Sequence, residues 1–231
     1  IKSRKINRLN VPIDADGYMP RIKSTVDPNR IVVYTMNRHQ DQLCLYAVNP
    51  RTTVAQLLIK ESVPKYVQES AVEAIKFVGN NIILPSDRSG FMNLYIYNMN
   101  GQLQRTIGGK FDITEVYGYD AKTGDVYYQA AALAPTDRQV YVNHKNGKTE
   151  RLTDAEGWNS ALFSGDYQYF INTWSDYNTP YVYTTRTRAG KVISTLQDNS
   201  QLRQTIKEYG FCKREAFSFT TSEGVTLNGW M

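Results

Sequence analysis

Apolar and polar positions alternate along this chain in short runs, too short for amphipathic helices and suited to half-buried strands. One pair of runs recurs four times. Its first member reads Ile31-Val32-Val33-Tyr34, Ile82-Ile83-Leu84, Val126-Tyr127-Tyr128 and Tyr169-Phe170-Ile171. Its second reads Leu43-Cys44-Leu45-Tyr46, Leu94-Tyr95-Ile96-Tyr97, Val140-Tyr141-Val142 and Tyr181-Val182-Tyr183. A turn follows each second run: Asn49-Pro50, Asn100-Gly101, Asn146-Gly147 and Ala189-Gly190. Gly and Asn accept the positive φ that tight hairpins need. A further strand is predicted after each turn, over Val54 to Ile59, Leu103 to Ile107, Thr149 to Leu152 and Lys191 to Leu196. Another is predicted before each pair, over Met19 to Ser24, Ala74 to Val78, Thr114 to Tyr119 and Ala161 to Ser164.

The repeat is thus a unit of four strands with a period of roughly 40 to 50 residues, the range of propeller blades. A lone unit of this kind buries too little to be stable and needs its neighbours. The fold class is all-β, a β-propeller fragment of about four four-stranded blades. The strand before each pair would be innermost and line a central channel. A β-sandwich also uses many short strands, but the fourfold recurrence favours the propeller. Four blades are at the low end of what closes a ring, so an open arc of a larger propeller is expected. Such an arc would expose blade faces and strand edges, which invites self-association.

The repeat stops before Asn199. Residues 199 to 210 read as a short helix, with Asn199 or Ser200 as cap and Gly210 as terminator. Phe217-Ser218-Phe219-Thr220 and Val225 to Trp230 then form a hairpin-like pair around Glu223-Gly224, outside any blade. Two domains are expected: residues 1–198 as blades, and residues 199–231 as an exit helix with the start of a second domain. The chain opens at Ile1 and stops at Gly229-Trp230-Met231 inside a strand pattern, so both ends are expected to be cut.

Composition sharpens this in one respect. Of 231 residues, 17 are tyrosines, and tyrosine suits strands with one packed face and one wet edge. The net charge of +5 raises the question of an anionic partner. The densest basic stretch is Lys2, Arg4, Lys5 and Arg8. It alternates with Ile6 and Leu9 and reads as the polar side of a strand. Asp and Glu interrupt the other basic stretches, so no nucleic-acid partner is expected. No run approaches the ~20 apolar residues of a membrane span. Cys44 and Cys212 are too few for a disulfide framework or a four-ligand zinc site and are expected to be unpaired thiols.

The sequence carries few chemical motifs. The nucleophile-elbow pattern Gly-x-Ser-x-Gly is absent, and Ser89-Gly90 and Ser164-Gly165 read as turns. His144 lies in a polar turn beside Lys145, where solvent is its expected partner, and His39 lies in a corner between strands. Neither has the spacing of a metal-ligand pair or of a catalytic triad. Gly108-Gly109 opens no phosphate-binding helix, and Asp14-Ala15-Asp16-Gly17 reads as a turn rather than a calcium loop. The chain has no Asn-x-Ser/Thr sequon. Its glutamates, Glu61, Glu69, Glu73, Glu115, Glu150, Glu156, Glu208, Glu215 and Glu223, are nowhere adjacent, so no acidic pair awaits a peptide amino terminus. No catalytic, substrate-binding, metal or cofactor residue is assigned.

Several stretches, in order, resemble the dipeptidyl peptidase IV family of prolyl oligopeptidase-type serine peptidases. Tyr18-Met19-Pro20-Arg21-Ile22-Lys23 resembles the opening strand of a family blade, and Asn37-Arg38-His39-Gln40 with Leu43 to Tyr46 its next corner. Ser86-Asp87-Arg88-Ser89-Gly90-Phe91 with Asn93-Leu94-Tyr95-Ile96-Tyr97 is the most telling stretch. Val126-Tyr127-Tyr128, Ala134-Pro135 and Arg138 to Tyr141 resemble the following blade. Leu152-Thr153, Gly157-Trp158, Ser164, Ser175 and Pro180 resemble the last. Leu196-Gln197-Asp198-Asn199 with Leu202 is similar to the exit helix, and Gly224 to Met231 to the first strand of an α/β-hydrolase domain.

The resemblance implies the second half of an eight-bladed propeller that stands over a hydrolase domain. The parent would be a serine peptidase, an aminopeptidase releasing amino-terminal Xaa-Pro or Xaa-Ala dipeptides, with its Ser, Asp and His beyond Met231. The family's paired glutamates would precede Ile1. The propeller would gate access and help shape the cavity. In some relatives an arginine from the loop after the first of these blades reaches the substrate. Here that stretch, Tyr66 to Glu73, has none, and no role is carried over. The implied partners are the peptide substrate, the chain's own hydrolase domain, the missing blades and a second copy in a homodimer. Proteolysis in the periplasm, or otherwise outside the cytoplasm, is the implied setting.

Two rival readings share the architecture. One is a non-catalytic, protein-binding propeller, expected to close its own ring and expose aromatic hot spots. The other is the propeller of a prolyl oligopeptidase or acylaminoacyl peptidase, which the Tyr-x-Pro-Arg-Ile-Lys and Ser-Asp-Arg-Ser-Gly stretches fit less well.

Overall fold

A computed structural model describes residues 6–231. They form four four-stranded antiparallel sheets, one two-stranded sheet and two short helices, in two compact units divided after Gly109.

In the first unit, blade 1 is β1 (Ile22–Ser24), β2 (Ile31–Met36), β3 (Gln42–Val48) and β4 (Ala55–Ser62), side by side in chain order. Blade 2 is β5 (Lys76–Val78), β6 (Asn81–Ser86), β7 (Asn93–Asn98) and β8 (Leu103–Ile107), arranged the same way. A single helical turn, α1 (Glu69–Glu73), lies between them. Pro85 sits inside β6 opposite Leu94 of β7. It is tolerated because β5 pairs no further along than Ile83, so β6 is an edge on that side at Pro85. The two blades share an aliphatic layer that includes Val32, Leu45, Ile59, Val72, Ile82 and Leu84.

In the second unit, blade 3 is β9 (Ile113–Asp120), β10 (Asp125–Ala130), β11 (Gln139–Asn143) and β12 (Thr149–Arg151). Blade 4 is β13 (Trp158–Phe163), β14 (Tyr169–Ser175), β15 (Val182–Thr187) and β16 (Val192–Gln197). Here the seam is aromatic. Tyr127 stacks on Tyr167 with ring centroids 5.0 Å apart and packs against Phe163 at 4.6 Å. Phe163 meets Phe170 at 4.9 Å. Helix α2 (Ser200–Glu208) and the hairpin of β17 (Ala216–Thr220) and β18 (Thr226–Trp230) follow.

One close approach recurs in both units. Gly101, in the turn before β8, abuts the backbone carbonyl of Leu58 in the preceding blade. Gly190, in the turn before β16, abuts that of Leu152 just past β12. Both have positive φ, +79° and +83°. A Cβ at either position would fall inside the carbonyl's van der Waals surface, so only glycine lets the blades sit this close.

The repeat, the four turns, the helix and the hairpin are where the sequence pattern predicts them. Several details differ. The first strand is shorter than Met19 to Ser24, because Tyr18 joins Met36 only through an isolated bridge. The strand before the second pair begins at Lys76, the preceding residues being taken by α1 and its end. That helix has no periodicity to reveal it and no side-chain cap. Asn199 stands at the N-cap position of α2, its carbonyl accepting from Arg203 N at 3.0 Å, but its side chain makes no cap bond. It adopts a left-handed conformation and its Nδ2 donates to the Tyr181 carbonyl at 2.6 Å, while Asp198 Oδ1 accepts from Ser200 N at 2.9 Å. Lys2, Arg4 and Lys5 lie outside the described residues. Arg8 is exposed in a non-strand segment with Ile6 94% exposed, so no strand runs through residues 6–9.

Candidate functional site

The residues singled out from the sequence are dispersed. Ser89 and Ser164 lie in turns: Ser89 Oγ accepts from Asn93 Nδ2 at 2.7 Å, and Ser164 Oγ donates to Asp166 at 2.6 Å. Asp14 to Gly17 closes a turn through Gly17 N and the Asp14 carbonyl at 3.0 Å. Cys44 and Cys212 are free thiols, in separate units. Burial pushes the Cys44 thiol up, against the opposing charge of Lys60. Cys44 is only half-buried, short of the buried hydrophobe its flanking leucines suggest. Among the described residues, no group of three or more His, Cys, Asp or Glu has the arrangement of a metal site.

His144 has ionisable neighbours that its polar turn does not suggest. Solvent is not its chief partner: Nδ1 lies 3.2 Å from Asp125 and Nε2 lies 3.6 Å from Glu150. Arg188 of blade 4 reaches the same Asp125 at 3.0 Å and donates to Tyr127 Oη at 3.0 Å. Glu150 is held below the usual carboxylate range, chiefly by its hydrogen bond from Lys148. The histidine therefore belongs to a charged clasp between blades 3 and 4. Its own partners come from β10 and β12, and Arg188, which shares Asp125 with it, comes from the next blade, which is why the turn around residue 144 does not reveal them.

The Ser86 to Tyr97 stretch also has a structural explanation. Arg88 lies over the Tyr95 ring at 3.6 Å, donates to Tyr97 Oη at 2.9 Å and faces Glu61 Oε2 at 3.3 Å. Glu61 comes from blade 1 and is 2% exposed. Ser86 Oγ donates to its other oxygen at 2.5 Å. Burial raises the Glu61 carboxyl above its usual value, and the Ser86 bond and Arg88 oppose the rise. Oε2 has the ion pair but no hydrogen bond of good geometry. These residues pin two blades together.

The second unit pins its blades with neutral amides. Thr153 Oγ1 donates to Gln139 Oε1 at 2.6 Å, and Asn159 Nδ2 donates to the same oxygen at 3.2 Å. Gln129 Nε2 reaches the Asn159 carbonyl at 2.6 Å, and Asn172 Nδ2 reaches Asn159 Oδ1 at 3.2 Å. All five side chains are buried.

What remains open is a groove on the second unit. One lobe, ≈ 580 Å³, lies between the 175–180 loop, α2 and the segment after it. Tyr177, Tyr181, Leu202, Ile206 and Phe211 supply its apolar wall. A second lobe, ≈ 490 Å³, shares Tyr177, Tyr181 and Arg214 with the first and adds Trp158 and Trp230. Asp176 Oδ1 shapes the loop by accepting from Asn178 N at 2.8 Å and Thr179 N at 2.6 Å. Asn178 Nδ2 donates to the Arg214 carbonyl at 3.0 Å, and Arg214 N donates back to Asn178 Oδ1 at 2.8 Å. The Arg214 guanidinium lies 5.4 Å from the Trp230 ring, and that of Arg138 lies 4.8 Å from Trp158. Aromatic faces beside guanidinium groups suit a partner that is partly apolar and partly anionic. Neither histidine lines the groove, so its walls bring together no Ser–His or Cys–His pair.

Four-stranded meanders, repeated and packed blade on blade, define a β-propeller. The chain belongs to the dipeptidyl peptidase IV family: residues 1–181 match the family model described as "Dipeptidyl peptidase IV (DPP IV) N-terminal region". The probable dipeptidyl peptidase 4 of Aspergillus flavus is 26% identical over 213 residues, 86% of this chain and 27% of that protein. The dipeptidyl peptidase 4 of Arthroderma otae is 29% identical over 149 residues, 62% of this chain and 19% of its own length. In solved structures, the dipeptidyl peptidase 4 of Porphyromonas gingivalis matches with a TM-score of 0.93 and 35% identity, over 99% of this chain and 33% of that one. The chain thus spans a third or less of the length of these relatives.

Proposed function

We propose that this chain is the accessory propeller part of a serine dipeptidyl peptidase that removes amino-terminal Xaa-Pro or Xaa-Ala dipeptides. In this reading the chain itself carries no catalytic group. It forms part of the wall around the peptide cavity and restricts entry to unfolded amino termini. The acyl-enzyme chemistry belongs to a nucleophile elsewhere in the whole enzyme. The observation that carries the reading is the match to the Porphyromonas gingivalis enzyme along 99% of the chain.

The domain division follows the same reading. Residues 1–198 are blades, and residues 199–231 hold the exit helix and the first strands of an α/β-hydrolase domain. The groove lined by Tyr181, Trp158 and Trp230 would seat further parts of that domain. The open face of blade 4, where β13 exposes Leu162 at 71%, would receive another blade. The expected setting is outside the cytoplasm, in the periplasm of a bacterium.

The test is hydrolysis of a chromogenic Gly-Pro substrate by the 231-residue chain and, in parallel, by the whole protein that contains it. Silence from the chain with turnover by the whole protein is expected. Turnover by the chain alone would overturn the reading. Silence from both would turn the choice to the rival reading of a protein-binding propeller, whose hot spots would be the groove aromatics.

A further inference from the structure

Asn-Gly occurs three times in this chain, at Asn100-Gly101, Asn146-Gly147 and Asn228-Gly229. An asparagine before glycine can react with its own backbone, because no side chain shields the glycine nitrogen. The fold treats the three pairs differently.

Asn228 and Gly229 lie inside β18, paired with Ser218 and Phe217 of β17. The Phe217 ring also lies against Gly229, 2.7 Å from where a Cβ would stand. Asn100 and Asn146 hold the same place in two like turns. Gly101 N donates to the Asn98 carbonyl at 3.0 Å, and Gly147 N to the His144 carbonyl at 2.8 Å. Two features separate these turns. Gly101 is pressed against the Leu58 carbonyl of the preceding blade, whereas Gly147 has no heavy atom within 4 Å of its would-be Cβ. Residues 145–150 are all exposed, so the second turn is free to deform. The other feature is the N–H that follows each glycine. Gln102 N donates to Asn98 Oδ1 at 3.0 Å, but Lys148 N donates to Asn146 Oδ1 at 2.9 Å. The Lys148 bond closes a ring of atoms that holds both Asn146 Cγ and the Gly147 nitrogen, and it polarises the side-chain carbonyl for attack.

We propose that Asn146-Gly147 is a self-modification site, where the folded chain converts its own asparagine to aspartate and isoaspartate while Asn100 and Asn228 keep their amides. Gly147 N gives its proton to solvent and attacks Asn146 Cγ. A C–N bond forms, the bond from Cγ to the amide nitrogen breaks, and that nitrogen leaves as ammonia. Water then opens the cyclic imide at either carbonyl. Opening at the side-chain carbonyl gives aspartate. Opening at the backbone carbonyl gives isoaspartate, which reroutes the main chain through Cβ and Cγ and lengthens the turn. Either product adds a carboxylate to the hairpin that carries His144 and Glu150 of the clasp. The inference goes beyond the peptidase reading and does not rest on it.

Incubation of the folded 231-residue chain in mildly alkaline buffer, followed by mass spectrometry of chymotryptic peptides, tests it. The peptide that contains Asn146 should gain the amide-to-acid mass about tenfold or more faster than those with Asn100 or Asn228. Part of the product should accept a methyl group from an isoaspartate-specific carboxyl methyltransferase. Gly147→Ala, which shields the attacking nitrogen with a Cβ, should slow conversion at Asn146 alone. In urea the three rates should draw together, because each asparagine has the same glycine after it. An unchanged amide at Asn146 would overturn the inference, as would equal rates at the three sites in the folded chain. So would a preference for Asn146 that persists undiminished in urea.

Discussion

Blades 1 and 2 meet over a broad aliphatic layer pinned by one buried ion pair, Glu61 with Arg88. Blades 3 and 4 meet over a few stacked rings, a chain of buried amides and a charged clasp at the rim. Both units bury polar groups where two sheets touch, and each leaves some without a hydrogen bond: Glu61 Oε2 and Arg88 Nε in the first, Asn172 Oδ1 in the second. The difference lies in what loss of one member leaves behind. An amide network that loses a link retains only neutral groups. An ion pair that loses its cation retains a buried charge, which costs far more. Loss of Arg88 from the first seam thus strands a buried carboxylate, whereas loss of an amide from the second strands no charge.

Four substitutions break or sharpen this contrast, the largest effect first. Phe170, 1% exposed in the aromatic seam, should cost about 4 kcal/mol when changed to Ala, because few neighbours can close the cavity. All three tryptophans, Trp158, Trp174 and Trp230, lie in the second unit, so denaturation followed by their fluorescence reports that unit. An unchanged fluorescence midpoint would place the stability of the second unit elsewhere.

Arg88→Met should cost about 3 kcal/mol at neutral pH, by leaving Glu61 as a lone buried carboxylate. Glu61 already has a raised carboxyl in the native state. Its contribution is therefore fully present below the usual value of 4.5 and is lost as pH rises through the native value. The Arg88→Met deficit should shrink on acidification, and Glu61→Gln should remove the dependence. Urea denaturation followed by circular dichroism across pH 4 to 8, a span of about four units, checks both. A deficit constant in pH would mean that packing on Tyr95, not charge, is what Arg88 supplies.

Gly190→Ala should cost about 2 to 3 kcal/mol, combining positive φ with the Leu152 carbonyl. Gly147→Ala, at φ +89° with no heavy atom near its would-be Cβ, should cost only about 1 kcal/mol. Equal losses by thermal denaturation would remove the close approach as a determinant. Asn159→Ala should be the mildest of the four, about 2 kcal/mol or less, since Gln139 keeps Thr153 and Ala155 as partners. A loss as large as that of Phe170→Ala would show the amides to be the dominant pin.

Much of this fold is legible in the order of residues. Period-two alternation marks a strand whichever blade it joins, and Asn100-Gly101 or Ala189-Gly190 mark a hairpin by backbone sterics alone. The four repeats, the exit helix and the final hairpin follow from such local rules. The family stretch from Ser86 to Tyr97 is legible too, but its reason is not: Glu61, which holds Arg88, lies 25 positions before Ser86 and looks like any outer-strand glutamate. His144 reads as a solvated turn residue until Asp125, Glu150 and Arg188 are brought around it. The groove joins residues from Pro135 to Trp230, and α1 has neither cap nor period. Alternation records which face of a strand is buried, an intrinsic and local choice. It holds no record of which side chain arrives from the next blade, because that is decided only when the sheets pack.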